Sequence, residues 1–403
     1  MFCILMLGNF GGAEIPLSML LVFVSAKLLS EVFERLGQPG IVGEILAGVL
    51  IGPQVLAWMA PNDVLQILSD LGVMFLLFRV GLEVKSSELL RVGSTALAVA
   101  VAGVIVPFFL GWGLSELWGA PHIEGIFLGA AMVATSVGIT AEVLASKGLL
   151  AYRASQIILA AAVIDDVLGL LVLAFVSSVA RGRVNYLDLT LTALIAVSFV
   201  VFVVVWGTRT MRHVVPRMEA RLNLVEGQFT LAMALLFGLS LLAVYAGVAA
   251  IVGAFLAGMA LSETVDHRVH DLTSGVTELL VPFFLVGIGI HFDVRAFGNA
   301  STIIPALAIT AAAVLAKVVG CGLGAIRLGS RDALRVATGM VPRGEVGMVV
   351  AQIGLAMGVM ARSVYDIVVF MSVATTLIAP PLLKWTYRDL KASEQPEEIL
   401  HLE

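Results

Sequence analysis

Thirteen long apolar segments follow one another along this chain, and they limit the folds open to it. They lie at 15–35, 40–59, 64–84, 93–118, 123–146, 154–180, 188–208, 227–246, 248–263, 275–292, 301–327, 333–359 and 364–386. Most approach the ~20 residues that a helix needs to cross the hydrocarbon core of a bilayer. Transmembrane strands would instead give ~10-residue stretches of alternating polarity. The pattern predicts an all-α integral membrane protein with about thirteen transmembrane helices.

The composition agrees with a chain that is largely surrounded by lipid. Hydrophobic residues make up 60% of the sequence and charged residues 13%, whereas a soluble domain carries about 25% charged residues. The connections are short apart from the basic stretch 208–221, which is expected to be an inner loop. No soluble regulatory domain fits between the segments, and no basic block indicates a nucleic-acid partner. The N-terminus has no signal-peptide pattern, so the mature chain is expected to begin there.

Arginine and lysine residues between the segments predict the orientation in the membrane. With the N-terminus outside, sixteen of them lie on the inner side: Arg35, Lys85, Arg91, Lys147, Arg153, Arg209, Arg212, Arg217, Arg221, Arg268, Arg327, Arg331, Arg335, Lys384, Arg388 and Lys391. Only four lie outside: Arg181, Arg183, Arg295 and Arg362. Since cytoplasmic loops carry the excess of positive charge, we expect a multi-pass protein of the inner (cytoplasmic) membrane with a cytoplasmic C-terminus.

Two stretches far apart in the chain are nearly the same. Residues 41–48 read IVGEILAG and residues 251–258 read IVGAFLAG, with six of eight positions identical at an offset of 210. Similar offsets relate further pairs: Phe75 and Phe283, Leu77 and Leu285, Gly81 and Gly289, and Val137-Gly138 and Val346-Gly347. The near-constant offset predicts two repeats of six helices around a linker helix, which inverts the second copy. Inverted repeats are typical of secondary transporters, with the site near mid-membrane.

Two adjacent carboxylates, Asp165 and Asp166, interrupt an otherwise apolar segment. An ionisable group deep in a bilayer costs roughly 2.5–3.5 kcal/mol on insertion scales, so its presence indicates a function. The two cannot both be cheaply ionised there, and on a helix they point about 100° apart. Their hard oxygens suit H⁺, Na⁺ or Li⁺ rather than a soft metal. We predict that the pair binds the transported ion; the alternative is a pair that only caps or forms an ion pair.

Lys317 lies in the middle of another apolar segment. A bare ammonium there needs a partner, and the aspartates are the obvious ones. The scaffold repeats but these charges do not: the matching positions hold Ala374, Thr375 and Phe108. Acids from one half and a base from the other are therefore predicted to meet at the centre. The alternative is a lysine that extends to the membrane surface.

Segments 123–146 and 333–359 are both predicted to be broken helices. The first contains Thr135 and Ser136 before a glycine, and the second reads VPRGEVG at 341–347. Proline and glycine interrupt a helical hydrogen-bond ladder, and hydroxyl side chains weaken it. Thr135 and Ser136 are candidate ion ligands, with ordinary helix-packing hydroxyls as the alternative. For Arg343 and Glu345 a supporting structural role is favoured over direct ion binding.

Taken together, these motifs resemble the monovalent cation:proton antiporters, specifically the NapA-type Na⁺/H⁺ antiporters. The resemblance covers residues from about 36 to 385 and is carried by 161–169 around the aspartates, by 133–141, by Lys317 and by 342–347. It implies a NapA/NhaA-like homodimer of thirteen-helix protomers in which the two discontinuous helices cross. It also implies that Asp166 is the principal ion and proton carrier, that Asp165 pairs with Lys317, and that exchange is electrogenic.

The resemblance further implies a division of the chain. The dimerisation domain would comprise helices 1–3 (residues 1–92) and 8–10 (227–300), and the ion-transporting core domain helices 4–6 (93–180) and 11–13 (301–386). The linker helix and basic inner loop would occupy 181–226, and a polar cytoplasmic tail 387–403.

The sequence therefore predicts a transporter rather than an enzyme, exchanging Na⁺ or Li⁺ for H⁺ by alternating access, without a cofactor and in contact with membrane lipid. A K⁺/H⁺ antiporter on the same scaffold remains open, because the charged residues do not decide the ion. A sodium-coupled symporter of organic anions and a channel are further alternatives. The former would need more polar or cationic groups in the core, and buried titratable groups suit stoichiometric exchange better than a channel.

Overall fold

The computed structural model describes residues 14–36, 38–180, 186–221, 227–291 and 300–390. All regular structure in these ranges is helical, which confirms the predicted all-α class. The first eight helices are α1 (Glu14–Arg35), α2 (Gly40–Ile51), α3 (Asp63–Glu83), α4 (Ser86–Leu117), α5 (His122–Ala131), α6 (Val137–Ser146), α7 (Arg153–Ala180) and α8 (Tyr186–Arg221). The others are α9 (Gly227–Tyr245), α10 (Ala250–Leu261), α11 (His267–Ile290), α12 (Ala300–Gly324), α13 (Ser330–Gly339), α14 (Glu345–Ala356) and α15 (Arg362–Thr386).

Nine of the described helices are long and apolar enough to cross a membrane: α1, α3, α4, α7, α8, α9, α11, α12 and α15. Among the rest are the shorter apolar helices α2, α6, α10 and α14. The protein is thus a multi-pass membrane protein, and the count of thirteen spans stays a prediction.

One predicted segment is shorter in the structure. The segment 40–59 is helical only to Ile51, because Pro53 lacks a backbone donor and disfavours helix in the residue before it. Segments 123–146 and 333–359, which were predicted to be broken, each hold two short helices, α5 with α6 and α13 with α14, separated by a short non-helical stretch.

The basic stretch 208–221 is not a loop, and that prediction was wrong. Helix α8 continues through it to Arg221. Charged residues mark the point at which a chain leaves the hydrocarbon region, but arginine and glutamate are good helix formers and do not end a helix. The stretch also contains Pro216, which disfavours a helix, so propensity alone does not account for the continuation. Hydropathy therefore located the end of the apolar segment and not the end of the helix.

Helix packing falls into two groups. The helices α1–α3 pack with α9–α11, and α4–α7 pack with α12–α15, while α8 contacts α7 and α10. In the first group, α2 crosses α11 and α10 crosses α3 at glycines. A Cβ on Gly48 would overlap the carbonyl oxygen of Val286, and one on Gly258 would overlap that of Phe78. Gly48 and Gly258 are a matched pair of the predicted repeat, so the two close crossings involve corresponding positions.

Candidate ion-binding site

Asp165 and Lys317 form an ion pair in the interior of the second helix group. Lys317 Nζ lies 3.3 Å from Asp165 Oδ1 and 3.4 Å from Oδ2. The lysine side chain is 0% exposed and the aspartate 1%. Both distances exceed the ~2.7–2.9 Å of a tight charge-assisted bond. The ammonium therefore sits between the two oxygens rather than tightly on one.

Helix α4 brings the two charges together, because α7 and α12 both pack along it. The lysine passes over Gly103 of α4. A Cβ at this position would lie 3.3 Å from Lys317 Nζ and 2.7 Å from the Sγ of Cys321. A side chain at position 103 would push the ammonium away from Asp165. Gly103 is not among the predicted site residues, because a lone glycine in an apolar helix does not stand out in the sequence.

The two helix breaks touch one another. Between α5 and α6, the backbone N–H of Ser136 donates to the carbonyl oxygen of Pro342, between α13 and α14, at 2.8 Å. A Cβ on Gly344 would lie 2.7 Å from both the Cβ and the Oγ of Ser136. The close approach of these two segments of the chain requires glycine at position 344.

Arg343 binds backbone carbonyl oxygens in the break that follows α5. Its Nη1 donates to the carbonyl oxygens of Val133 and Ala134 at 3.0 and 3.1 Å, and its Nη2 to that of Ala313 at 3.1 Å. The side chain is fully buried at 0% exposure. Val133 and Ala134 lie beyond the last residue of α5, so the guanidinium satisfies carbonyls that no helical ladder pairs. Arg343 thus joins the first break and α12 to the second break, in which it lies.

Threonine hydroxyls form hydrogen bonds with backbone groups at and before the second break. Thr140 Oγ1 donates to the carbonyl oxygen of Gly339 at 2.6 Å, which closes the end of α13. On α15, Thr375 Oγ1 accepts from the N–H of Arg343 at 3.1 Å, and Thr376 Oγ1 donates to its carbonyl oxygen at 2.8 Å. These residues were missed as site residues. The repeat held a signal for one of them, since Thr375 matches Asp166.

The hydroxyl of Thr135 is buried and lacks a hydrogen-bond partner among the described residues. The residue is 5% exposed, as is the neighbouring Ser136. Leaving a buried polar group unsatisfied costs about 1–3 kcal/mol, and such a group in a native fold calls for an explanation. An oxygen held at a helix break without a partner suits a ligand that the site binds only part of the time.

Asp166 lies at a different place from the ion pair of Asp165 and Lys317. It lines a small cavity with Leu77 of α3, Val163 of α7, and Ile251 and Phe255 of α10. This cavity lies between the two helix groups, and its other lining residues are also apolar. The adjacent aspartates therefore have different surroundings: one is inside the second group and the other is at its boundary with the first.

Glu345 is the first residue of α14. Its side chain lies outside the described part of the structure.

A helical membrane fold in which two broken helices meet beside a buried acid–base pair is that of a secondary transporter, not an enzyme. A family model described as "Sodium/hydrogen exchanger, transmembrane" matches residues 19–388. The chain belongs to this family of cation/proton antiporters, which confirms the family indicated by the motifs. Its members transport ions and need no cofactor.

Two relatives are similar over nearly their whole length. The Na(+)/H(+)-K(+) antiporter GerN of Bacillus cereus is 35% identical and covers 93% of this chain and 97% of its own. The high-affinity Na(+)/H(+) antiporter NhaS3 of Synechocystis is 35% identical and covers 96% of this chain and 92% of its own. Among solved structures, the sodium proton antiporter MjNhaP1 of Methanocaldococcus jannaschii superposes with a TM-score of 0.69 at 18% identity, covering 94% of this chain and 96% of that one. This likeness confirms the fold.

Proposed function

We propose that the protein exchanges Na⁺ or Li⁺ for H⁺ across the cytoplasmic membrane, electrogenically and by alternating access. The observation that carries the proposal is the divergence of the two aspartates: Lys317 holds Asp165, while Asp166 faces the boundary between the helix groups. The charge of Asp165 is then balanced by Lys317, and Asp166 is the ion carrier.

Competition for the same oxygens is the core of the mechanism. Asp166 binds either a proton or the cation, because a single carboxylate cannot hold both with full affinity. A cation that arrives at Asp166 also attracts Asp165 and weakens its contact with Lys317. Each ion thus displaces the other, and the protein moves one in exchange for the other.

Thr135 and Ser136 are proposed as neutral oxygen ligands of the cation. Replacing Thr135 by valine, which keeps the shape but removes the oxygen, together with Ser136→Ala, is expected to raise the Na⁺ concentration for half-maximal rate roughly tenfold. This corresponds to the loss of about 1–1.5 kcal/mol of ligand interaction. The maximal rate should change much less. The measurement is proton flux in proteoliposomes over a range of Na⁺ concentrations.

Thr135→Ser with native Ser136 is the matched control, because it retains the oxygen, and it should keep the parent's sodium dependence. An unchanged sodium dependence in the oxygen-deficient variant would return both hydroxyls to a packing role.

Alternating access is proposed to move the helix group containing α4–α7 and α12–α15 against the group containing α1–α3 and α9–α11. The first would be the core domain and the second the dimerisation domain of a homodimer. The support is the position of Asp166 at the boundary, where a displacement of one group opens the small cavity first to one side and then to the other. The apolar helices α1 and α9, of which only a small part is buried, offer a surface for a second protomer or for lipid.

The proposed membrane is the inner (cytoplasmic) one, with the N-terminus outside and the C-terminus inside. Support comes from the distribution of arginine and lysine in the sequence. The described basic residues near the ends of α4, α6 and α15 then share the inner face.

A K⁺/H⁺ antiporter is the second candidate. One observation favours it: the similar B. cereus protein is named as a Na(+)/H(+)-K(+) antiporter. The carboxylates and hydroxyls of this site accept either ion, and cavity size and ligand geometry decide between them.

Proton flux in proteoliposomes tests the proposed function. An imposed gradient of Na⁺ or Li⁺ is expected to drive protons in the opposite direction, whereas K⁺ at equal concentration drives far less. Equal or larger flux with K⁺ would select the second candidate. If none of the three ions drives a proton flux, both candidate functions are contradicted.

A further inference from the structure

A cleft opens at one end of the molecule between the two helix groups. Pro39, just before α2, lines it on one side, and the ends of α6 and α15 line it on the other. Its walls are apolar, with Val143, Leu144, Leu383 and Leu390 among them. In the orientation proposed above, this end lies at the cytoplasmic surface of the membrane.

Three cationic side chains, Lys147, Lys384 and Arg388, line the same cleft. Lys147 and Arg388 are exposed, and the guanidinium of Arg388 lies over the ring of Trp385, 5.9 Å from its centroid. The nearest acid in the sequence is Asp389, whose Oδ1 accepts from Nη2 of Arg335 at 2.6 Å. Asp389 is thus engaged with Arg335, and the described residues that line the cleft include no acid.

We propose that this cleft binds an acidic phospholipid, with the phosphate between Lys147 and Arg388 and an acyl chain along the leucine wall. The inner leaflet of a membrane presents anionic headgroups, and basic residues beside it attract them. The apolar walls distinguish a lipid from a soluble anion, since only the lipid has a hydrocarbon chain to bury there.

The placement gives the lipid a role in transport. Pro39 belongs to the group of helices proposed as the dimerisation domain, and the other lining residues belong to the proposed core. A lipid in the cleft therefore contacts both and favours the arrangement in which they lie as they do in this structure. This role rests on the proposed function, but binding of the lipid does not.

The test uses the purified full-length protein in detergent with added dioleoylphosphatidylglycerol, read by native mass spectrometry and by melting temperature. Phosphatidylcholine with the same chains and inorganic phosphate are the comparison probes. One cation beside an anionic lipid contributes about fivefold in affinity, so Lys147→Gln with Arg388→Gln is expected to weaken binding roughly 25-fold. Both side chains are exposed, and the variant should fold, as judged by size-exclusion chromatography.

Arg91→Gln with Arg327→Gln is the matched control, because both arginines are exposed, are predicted on the same face and do not line the cleft. The control should bind phosphatidylglycerol as the parent does. Equal binding by the Lys147/Arg388 variant, or equal stabilisation by phosphatidylcholine, would overturn the proposal. Equal stabilisation by inorganic phosphate would assign the cleft to a soluble anion. Binding that appears only after removal of residues 391–403 would assign it to the acidic end of the chain itself.

The binding experiment does not involve transport, so lipid binding and the proposed transport function can each fail without the other. A protein that binds phosphatidylglycerol in this way but exchanges no cation for protons loses only the proposed function.

Discussion

Asp166→Asn is expected to abolish cation/proton exchange and leave a folded protein. Asparagine has nearly the same shape as aspartate. Its amide does not take up a proton near neutral pH, and it has no charge to attract a cation. The side chain is at the boundary of the helix groups and not in the Asp165–Lys317 pair. The change therefore removes the shared ligand of both ions without breaking the buried ion pair. Flux should fall to that of protein-free liposomes, with a melting temperature close to the parent's.

The matched control is Asp70→Asn, which makes the same chemical change at an exposed position of α3. Asp70 Oδ1 accepts an exposed hydrogen bond from Nε2 of Gln66 at 2.8 Å. This variant should transport as the parent does. Sodium-driven proton flux that persists in well-folded Asp166→Asn would reject Asp166 as the shared carrier.

Lys317→Gln is expected to destabilise the protein and to change the charge moved in each cycle. Removing one partner of a buried ion pair commonly costs ~3–5 kcal/mol, since the other charge stays behind without compensation. Asp165 would be that charge, at 1% exposure. The readout of stability is a lower melting temperature in detergent. The exposed pair of Arg35 and Glu31 supplies the control, because Arg35→Gln should cost only about 0.3–0.5 kcal/mol.

The charge moved in each transport cycle distinguishes two roles for Lys317, proton carrier and stabilising partner. When the cation draws Asp165 away, the ammonium is left in a poorly hydrated place and releases its proton. On this hypothesis Lys317 carries one of two protons per cycle and Asp166 carries the other. Any exchange remaining in Lys317→Gln then becomes electroneutral, with no response to a potassium–valinomycin potential across the liposome. Remaining exchange that responds to voltage as the parent does would leave Lys317 as a stabilising partner only.

The sequence was informative where a residue contradicts its surroundings. Asp165, Asp166 and Lys317 stand out because each is charged within a long apolar run, and their mismatch across the repeat predicted that acid and base meet. The glycine and proline pattern similarly indicated the two breaks. In each case a local cost in free energy is visible in the residue types alone.

Other features depend on three-dimensional contacts and leave little trace in one sequence. Gly103 matters because Lys317 happens to pass over it, and Thr140 because the end of α13 lies beside it. Helix ends beyond the membrane were also misjudged, as with the continuation of α8 to Arg221, because hydropathy locates the end of an apolar segment and not the end of a helix. Arrangements of neutral residues require the structure.

The central claim is that proton and cation share one site, and the sodium dependence of exchange at different pH values tests it most directly. In the parent protein, the Na⁺ concentration for half-maximal rate should rise about tenfold for each unit of pH below the range in which the carboxylate titrates, if one proton is displaced. For two displaced protons the rise approaches about a hundredfold per unit. Saturating Na⁺ should restore the rate at each pH. A half-saturating Na⁺ concentration that stays constant with pH, while only the maximal rate changes, would mean that protons act elsewhere and would contradict the shared site.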